Sequence, residues 1–333
     1  MDTTSPIPPG LPRRRAQLDY LPVGLFGSVM GLVGLSIAWR VAGGLYGAPA
    51  WVAGSIGMIA VLAFVAMVLA YGWKCLSAWQ AVRKEFGHPV VGSLFGTVCI
   101  SFLLVPLVIA EASPMLARTI WVIGAIGMTL LAWWIVNRWM GSRQAAADAT
   151  PAWIVPVVGL LDLPLAMPAL GLPVHGGLGV FALAVGLFFS VPLFTLIFAR
   201  LLFEPPMAEG MRPSLMILVA PFAVGYSTYT TVTGNHDVFA QSLYFLTVFL
   251  MAVLCLQMRH LGTCCPFRVS WWSVSFPLAA SAICALHYAE YHPSLYAHGI
   301  ALLFLALASL SILALLLRTL AGLLTGELRT LSG

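Results

Sequence analysis

Ten apolar stretches divide this chain, at approximately 21–41, 50–72, 90–110, 117–140, 152–172, 176–199, 213–233, 237–258, 270–289 and 295–318. Each matches the about 20 helical residues that cross a hydrocarbon core of roughly 30 Å. Fourteen of the sixteen Lys and Arg residues fall in alternate gaps. They stand before the first stretch (Arg13, Arg14, Arg15), after the second (Lys74, Arg83, Lys84), fourth (Arg138, Arg143), sixth (Arg200, Arg212) and eighth (Arg259, Arg268), and at the end (Arg318, Arg329). Only Arg40 and Arg118 lie on the other side. By the positive-inside rule both termini are cytoplasmic, and the chain reads as five hairpins with their short turns outward. Helices are the spans to expect, because an open sheet would leave backbone groups unsatisfied in lipid.

The chain is 61% apolar and 8% charged, which leaves no segment for a sizeable soluble domain. The net charge of +5 is the cytoplasmic bias itself and does not imply a nucleic-acid surface. Residues 1–20, rich in proline and arginine, read as a disordered cytoplasmic arm rather than a signal peptide. Residues 21–322 form the ten-helix transmembrane domain, and 323–333 a short cytoplasmic tail. The six cysteines carry no CxxC or Cys/His spacing, and Walker, GxSxG and HExxH motifs are missing. These absences argue against a zinc site, a disulfide framework, a cofactor and an enzyme. Passive transport in a bacterial-type inner membrane is the default expectation.

Odd and even stretches differ in proline. Pro106, Pro156, Pro164, Pro168, Pro221 and Pro277 lie inside odd stretches, whereas the even ones hold only Pro192. Proline deletes a ladder hydrogen bond and bends the helix, which lipid tolerates where another helix or water meets the freed carbonyl. The first stretch carries Gly24, Gly27, Gly31 and Gly34 instead, leaving one side bare for a close helix contact or a pore wall. Five bent helices around an axis with five straight ones outside are expected, from a repeat of about 60 residues.

Several segments resemble the tellurite-resistance and dicarboxylate transporter family, which includes TehA and the slow anion channels of plant guard cells. They are Leu21-Pro22-Val23-Gly24-Leu25-Phe26-Gly27, Val82-Arg83-Lys84-Glu85-Phe86 with His88-Pro89, Leu218-Val219-Ala220-Pro221, and Trp271-Trp272-Ser273-Val274-Ser275-Phe276-Pro277 with Tyr288-Ala289-Glu290. The resemblance implies five hairpins in quasi-fivefold order around a central pore, in a homotrimer. It also implies a narrow apolar conduit closed by a phenylalanine, here Phe276, with Pro277 holding the local kink. Gly24, Gly27, Gly31, Gly34, Pro106, Pro164 and Pro221 are the expected pore-lining positions.

The five odd helices would all start at the cytoplasmic face, so their positive dipole ends, with Lys74, Arg83, Arg212 and Arg268, would favour anions at the inner mouth. A wall with few fixed charges selects small, weakly hydrated monovalent anions such as chloride or nitrate by ease of dehydration. Asp162, the only ionisable side chain near the middle of any span, departs from the neutral polar residue that the resemblance leads one to expect. It is either protonated or hydrogen-bonded by backbone freed at Pro164, or else it is a proton-coupling acid. The last alternative makes the protein a proton-linked carrier of a small anion, such as a C4-dicarboxylate, tellurite or sulfite. His287, His292, Glu290 and Glu111 fall near outer helix ends, where they can shape an outer mouth or serve simply as interfacial residues.

Overall fold

The computed structural model describes residues 18–259 and 267–331, which are helices joined by short turns. The arginines at 13–15 and most of the N-terminal arm lie outside the described residues. Nine helical runs are long and apolar enough to cross a membrane among the described residues. They are α1 (Val23–Tyr46), α2 (Ala50–Ser77), α3 (Val91–Ile109), α4 (Pro114–Gly141), α5 (Gly177–Phe203), α6 (Glu209–Thr233), α7 (Val238–Met258), α8 (Val269–Tyr291) and α9 (Leu295–Leu324).

The expected span at 152–172 is not one regular helix. Its place is taken by the shorter apolar segment Pro151–Ala166, a succession of 3-10 turns around a single α turn at Val155–Val158. Prolines at 151, 156 and 164 each remove a backbone donor, so no long α ladder can run through the segment. The tighter 3-10 turns advance about 2 Å per residue rather than 1.5 Å, which lengthens a short segment. Every residue of it except Leu165 is buried.

The alternation of bent and straight helices matches burial. In α1, α3, α6 and α8 the apolar window is 56–78% buried, against 28–39% in α2, α4, α5, α7 and α9. The second group turns large apolar side chains outward, among them Leu62 and Leu69 on α2, Phe249 on α7 and Leu310 on α9. Such a belt of exposed apolar surface is stable only against lipid or another apolar partner.

The inner segments form a closed cycle of contacts. α1 packs against α3, α3 against Pro151–Ala166, that segment against α6, α6 against α8, and α8 back against α1. Each remaining helix covers the outside: α2 lies on α1, α4 on α3, α5 on Pro151–Ala166 and α6, α7 on α6 and α8, and α9 on α8 and α1.

All five inner segments open with a 3-10 stretch before turning α-helical: Val23–Phe26, Val91–Phe95, Pro151–Ile154, Glu209–Val219 and Val269–Val274. None of the five outer helices does so. Prolines at 22, 89 and 151 stand at or just before three of these starts, where a missing N–H is harmless because the first turn leaves it unbonded, whereas Pro213 lies inside its run. The same local device thus recurs at each inner start.

The tightest inner contact joins α1 to α8. A Cβ on Gly31 would fall inside the Ser275 side chain, and one on Gly34 would lie 2.8 Å from Ala279 Cβ. Glycine is therefore required for this approach, across which the Ser275 hydroxyl reaches the Gly27 carbonyl at 3.1 Å while sharing its proton with the Trp272 carbonyl of its own segment at 2.7 Å.

Candidate functional site: two cavities along one axis

Two cavities lie inside the inner cycle. The first, of about 480 Å³, is bordered by the opening stretches of all five inner segments, among them Gly24, Leu94, Ile154, Ser214 and Ser270. The second, of about 350 Å³, is bordered by later residues of the same segments, among them Gly34, Leu107, Leu165, Thr230 and Ile283. The five segments therefore run parallel along a common axis. Among the described residues, only Val224 and Phe276 border both cavities. Phe276 is 9% exposed, and Gly34 stands beside its ring, where a Cβ would lie 3.8 Å from Cδ2. Pro277 borders the first cavity and follows directly on the α-helical start at Ser275.

Of the expected pore-lining glycines, Gly24 and Gly27 border the first cavity and Gly34 the second, whereas Gly31 is used for the helix contact with Ser275. Pro106, Pro164 and Pro221 border neither cavity. They act in the backbone instead. At Pro106 the helix Gly96–Leu104 gives way to a new turn. Pro164 starts a 3-10 turn, and Pro221 stands where the 3-10 run of α6 becomes α-helical.

The four basic residues assigned to the inner mouth separate. Arg268 borders the first cavity. Arg83 is exposed and Arg212 half-buried, and neither borders it. Lys74 is fully buried, donating to the Leu21 carbonyl at 2.6 Å and to Glu85 at 2.8 Å, while Tyr71 donates to the other Glu85 oxygen at 2.7 Å. The sequence places Lys74 among the cations of the inner mouth, whereas the structure pairs it with Glu85. Its partner comes from the following short helix Trp79–Gly87, and no local pattern announces that contact.

Asp162 borders the first cavity, is 2% exposed, and its Oδ1 meets no hydrogen-bonding partner among the described residues. The break at Pro164 does free backbone groups, but they are carbonyls. Thr228 donates to Leu161 O at 2.5 Å and Trp121 Nε1 to Leu163 O at 3.0 Å. A carboxylate cannot accept from a carbonyl, so the kink offers Asp162 no donor.

The second cavity has a polar sector of which the sequence singled out only His287. Ser227, Thr230 and Thr231 of α6 border it with His236, His287 and Tyr291. The i, i+3, i+4 spacing of those hydroxyls, within the Ser- and Thr-rich end of α6, was the available signal. Among the described residues, no group of three or more His, Cys, Asp or Glu side chains is placed to hold a metal ion.

Nine apolar helical runs among the described residues, a broken third inner segment and a pair of cavities inside the inner cycle define a multi-pass α-helical membrane protein. The chain belongs to the voltage-dependent anion channel family, whose profile matches residues 20–320. It is similar to the tellurite resistance protein TehA homolog of Haemophilus influenzae, 27% identical over 321 residues, which covers 92% of each chain. It is also similar to the S-type anion channel SLAH3 of Arabidopsis thaliana, 26% identical over 310 residues, 90% of this chain and 48% of the plant protein. The guard cell S-type anion channel SLAC1 of the same plant is 23% identical over 313 residues, 90% of this chain and 55% of its own length. The chain thus spans about half the length of these plant relatives.

Proposed function

We infer that this protein is a gated conduit for small monovalent anions such as chloride and nitrate, with Phe276 as the closing group and Pro277 holding its kink. The observation that carries the reading is the pair of cavities bordered by the same five inner segments and meeting at Phe276 and Val224. A ring narrowing an apolar passage is both a steric and a dewetting barrier, and a rotamer change lifts it. Membership of an anion channel family and similarity to S-type anion channels support the substrate class.

The electrostatics run the same way. The opening turns of five inner segments converge on the first cavity, and each helix N-terminus contributes roughly half a positive charge. Arg268 adds a cation at that wall. The rest of the interior is mostly aliphatic, so a passing ion sheds water against small apolar groups and weakly hydrated anions pass most easily. In this reading the five hairpins stand in quasi-fivefold order with both termini in the cytoplasm, and three protomers assemble with one pore each.

The test is anion current across membranes containing the purified protein, unchanged and as Phe276→Ala, under chloride and nitrate gradients. A small basal current that rises severalfold on truncation and reverses near the anion equilibrium potential upholds the gate. Equal currents from both forms remove Phe276 from that role.

One observation favours a second reading. Asp162 is an unpaired acid on the wall of the first cavity, which suits a proton-coupled carrier of a C4-dicarboxylate, tellurite or sulfite. Asp162→Asn separates the two: it abolishes pH-driven uptake in a carrier, whereas in a channel it leaves current unchanged or higher, because an anion no longer meets an ionisable acid.

A further inference from the structure

The geometry points to a protonation-dependent anion subsite at the end of the second cavity far from the chain termini, formed by His236 and His287 with the Thr231 hydroxyl. This subsite rests on the conduit reading and adds to it a place where anions are held and a pH dependence that belongs to one side of the membrane.

His236 and His287 both border the second cavity, together with Thr231 and Tyr291. The His236 ring stacks on Tyr291 with centroids 3.4 Å apart and planes 16° apart. That contact holds the imidazole in place and is favourable to its cationic form. His236 Nδ1 is buried and has no hydrogen-bond partner among the described residues. A polar nitrogen in that position is costly unless something fills the space beside it. His287 Nδ1 lies 3.3 Å from Glu290, which orients the ring.

The charged and titratable groups around this end decide the sign of its field. From α8 and the residue after it come Glu290, Tyr288, Tyr291 and His292, whose Nε2 donates to the His236 carbonyl at 3.3 Å. Asp237 accepts from Tyr229 at 2.7 Å and from the backbone N–H groups of Phe239 and Ala240. His175 bonds to the Val232 carbonyl at 2.7 Å. Arg40 and Arg118 are directed to the Leu107 and Leu170 carbonyls on other inner segments. With neutral imidazoles the two carboxylates dominate around His236, and the local field repels anions. Protonating His236, His287 and His292 adds three positive charges against those two negative ones, and the local charge changes sign. Burial holds the His236 imidazole below its usual range, with His287 and His292 adding to that effect and Glu290 and Asp237 opposing it. A bound anion would relieve the repulsion between imidazolium groups, so anion binding and proton uptake favour each other.

Two measurements decide the matter. In planar bilayers, acidifying only the compartment opposite the termini from pH 8 to pH 5 should raise nitrate current about tenfold in the unchanged chain and in Phe276→Ala, by concentrating anions at the mouth. Acidifying the other compartment should not. His236→Gln and His287→Gln should each weaken the response, and the double variant should lose it. A response that survives in the double variant, or that follows the pH of the other compartment, overturns the subsite. If no form carries current, the conduit reading fails separately, and the second measurement still applies. In detergent micelles, the seven histidines of the full chain are labelled with nitrogen-15, assigned by single His→Gln variants, and titrated in nitrate or gluconate at equal ionic strength. Nitrate should raise the apparent pKa of both His236 and His287 relative to gluconate. Identical titrations in the two salts overturn the subsite.

Discussion

Thr228 donates its hydroxyl to the Leu161 carbonyl at 2.5 Å, and the reason lies three residues beyond Leu161. Leu163 N–H bonds to Leu160 O in 3-10 fashion, so the next donor in sequence should serve Leu161, but that residue is Pro164 and has no N–H. The orphaned carbonyl is therefore satisfied from α6, one residue before Asp162. Thr228→Val keeps the shape and removes the donor, and should cost about 1–3 kcal/mol for a buried acceptor left unpaired. Thermal unfolding in detergent, with Thr228→Ser as the rescuing variant, measures it.

The Lys74–Glu85 pair predicts an asymmetric double-mutant cycle. Glu85→Gln leaves a fully buried ammonium facing the Leu21 carbonyl, the Tyr71 ring and a neutral amide, with no counter-charge, and should destabilise by about 3–5 kcal/mol. Lys74→Met should cost less, because Glu85 is 21% exposed and can be hydrated. The pair Lys74→Met with Glu85→Gln should recover most of the loss, as seen in melting temperature.

At the contact between α1 and α8, Gly31→Ala should destabilise by about 1–3 kcal/mol through overpacking against Ser275. Combining it with Ser275→Gly frees the space. If the double variant melts as low as Gly31→Ala alone, steric conflict is not the cause.

Asp237 supplies a pH dependence with a definite sign. Its hydrogen bond from Tyr229, followed by those from the Ala240 and Phe239 N–H groups at the start of α7, holds the carboxyl below its usual 3.8. A depressed folded-state value means the stabilisation is complete above the unfolded value and is lost as pH falls through the folded one. The melting-temperature difference between the unchanged chain and Asp237→Ala should be constant above about pH 5 and shrink below pH 4. A difference that grows on acidification contradicts this assignment.

Membrane spans, the division into inner and outer helices and the family were legible in the chain because each depends on short-range regularities. Twenty apolar residues, a run of prolines or a motif such as Ser275-Phe276-Pro277 is visible in a window of sequence. The bent helix expected at 152–172 was the exception within that range: its prolines read as bends in one span, whereas the three in Pro151–Ala166 leave no room for a continuous ladder.

Which side chains meet was settled by packing between segments far apart in sequence. Lys74 reads as an inner-mouth cation because Glu85 and the Leu21 carbonyl lie on other elements, and Gly31 groups with the cavity glycines because only the approach of Ser275 separates it from them. His236 acquired significance through stacking on Tyr291, 55 positions away. Hydropathy and proline act on the backbone within a turn or two and against a uniform solvent, so the order of residues suffices to read them. The environment of one charged or polar group depends on the few atoms that happen to touch it, and in this protein those atoms come from the neighbouring members of a closed cycle of five segments.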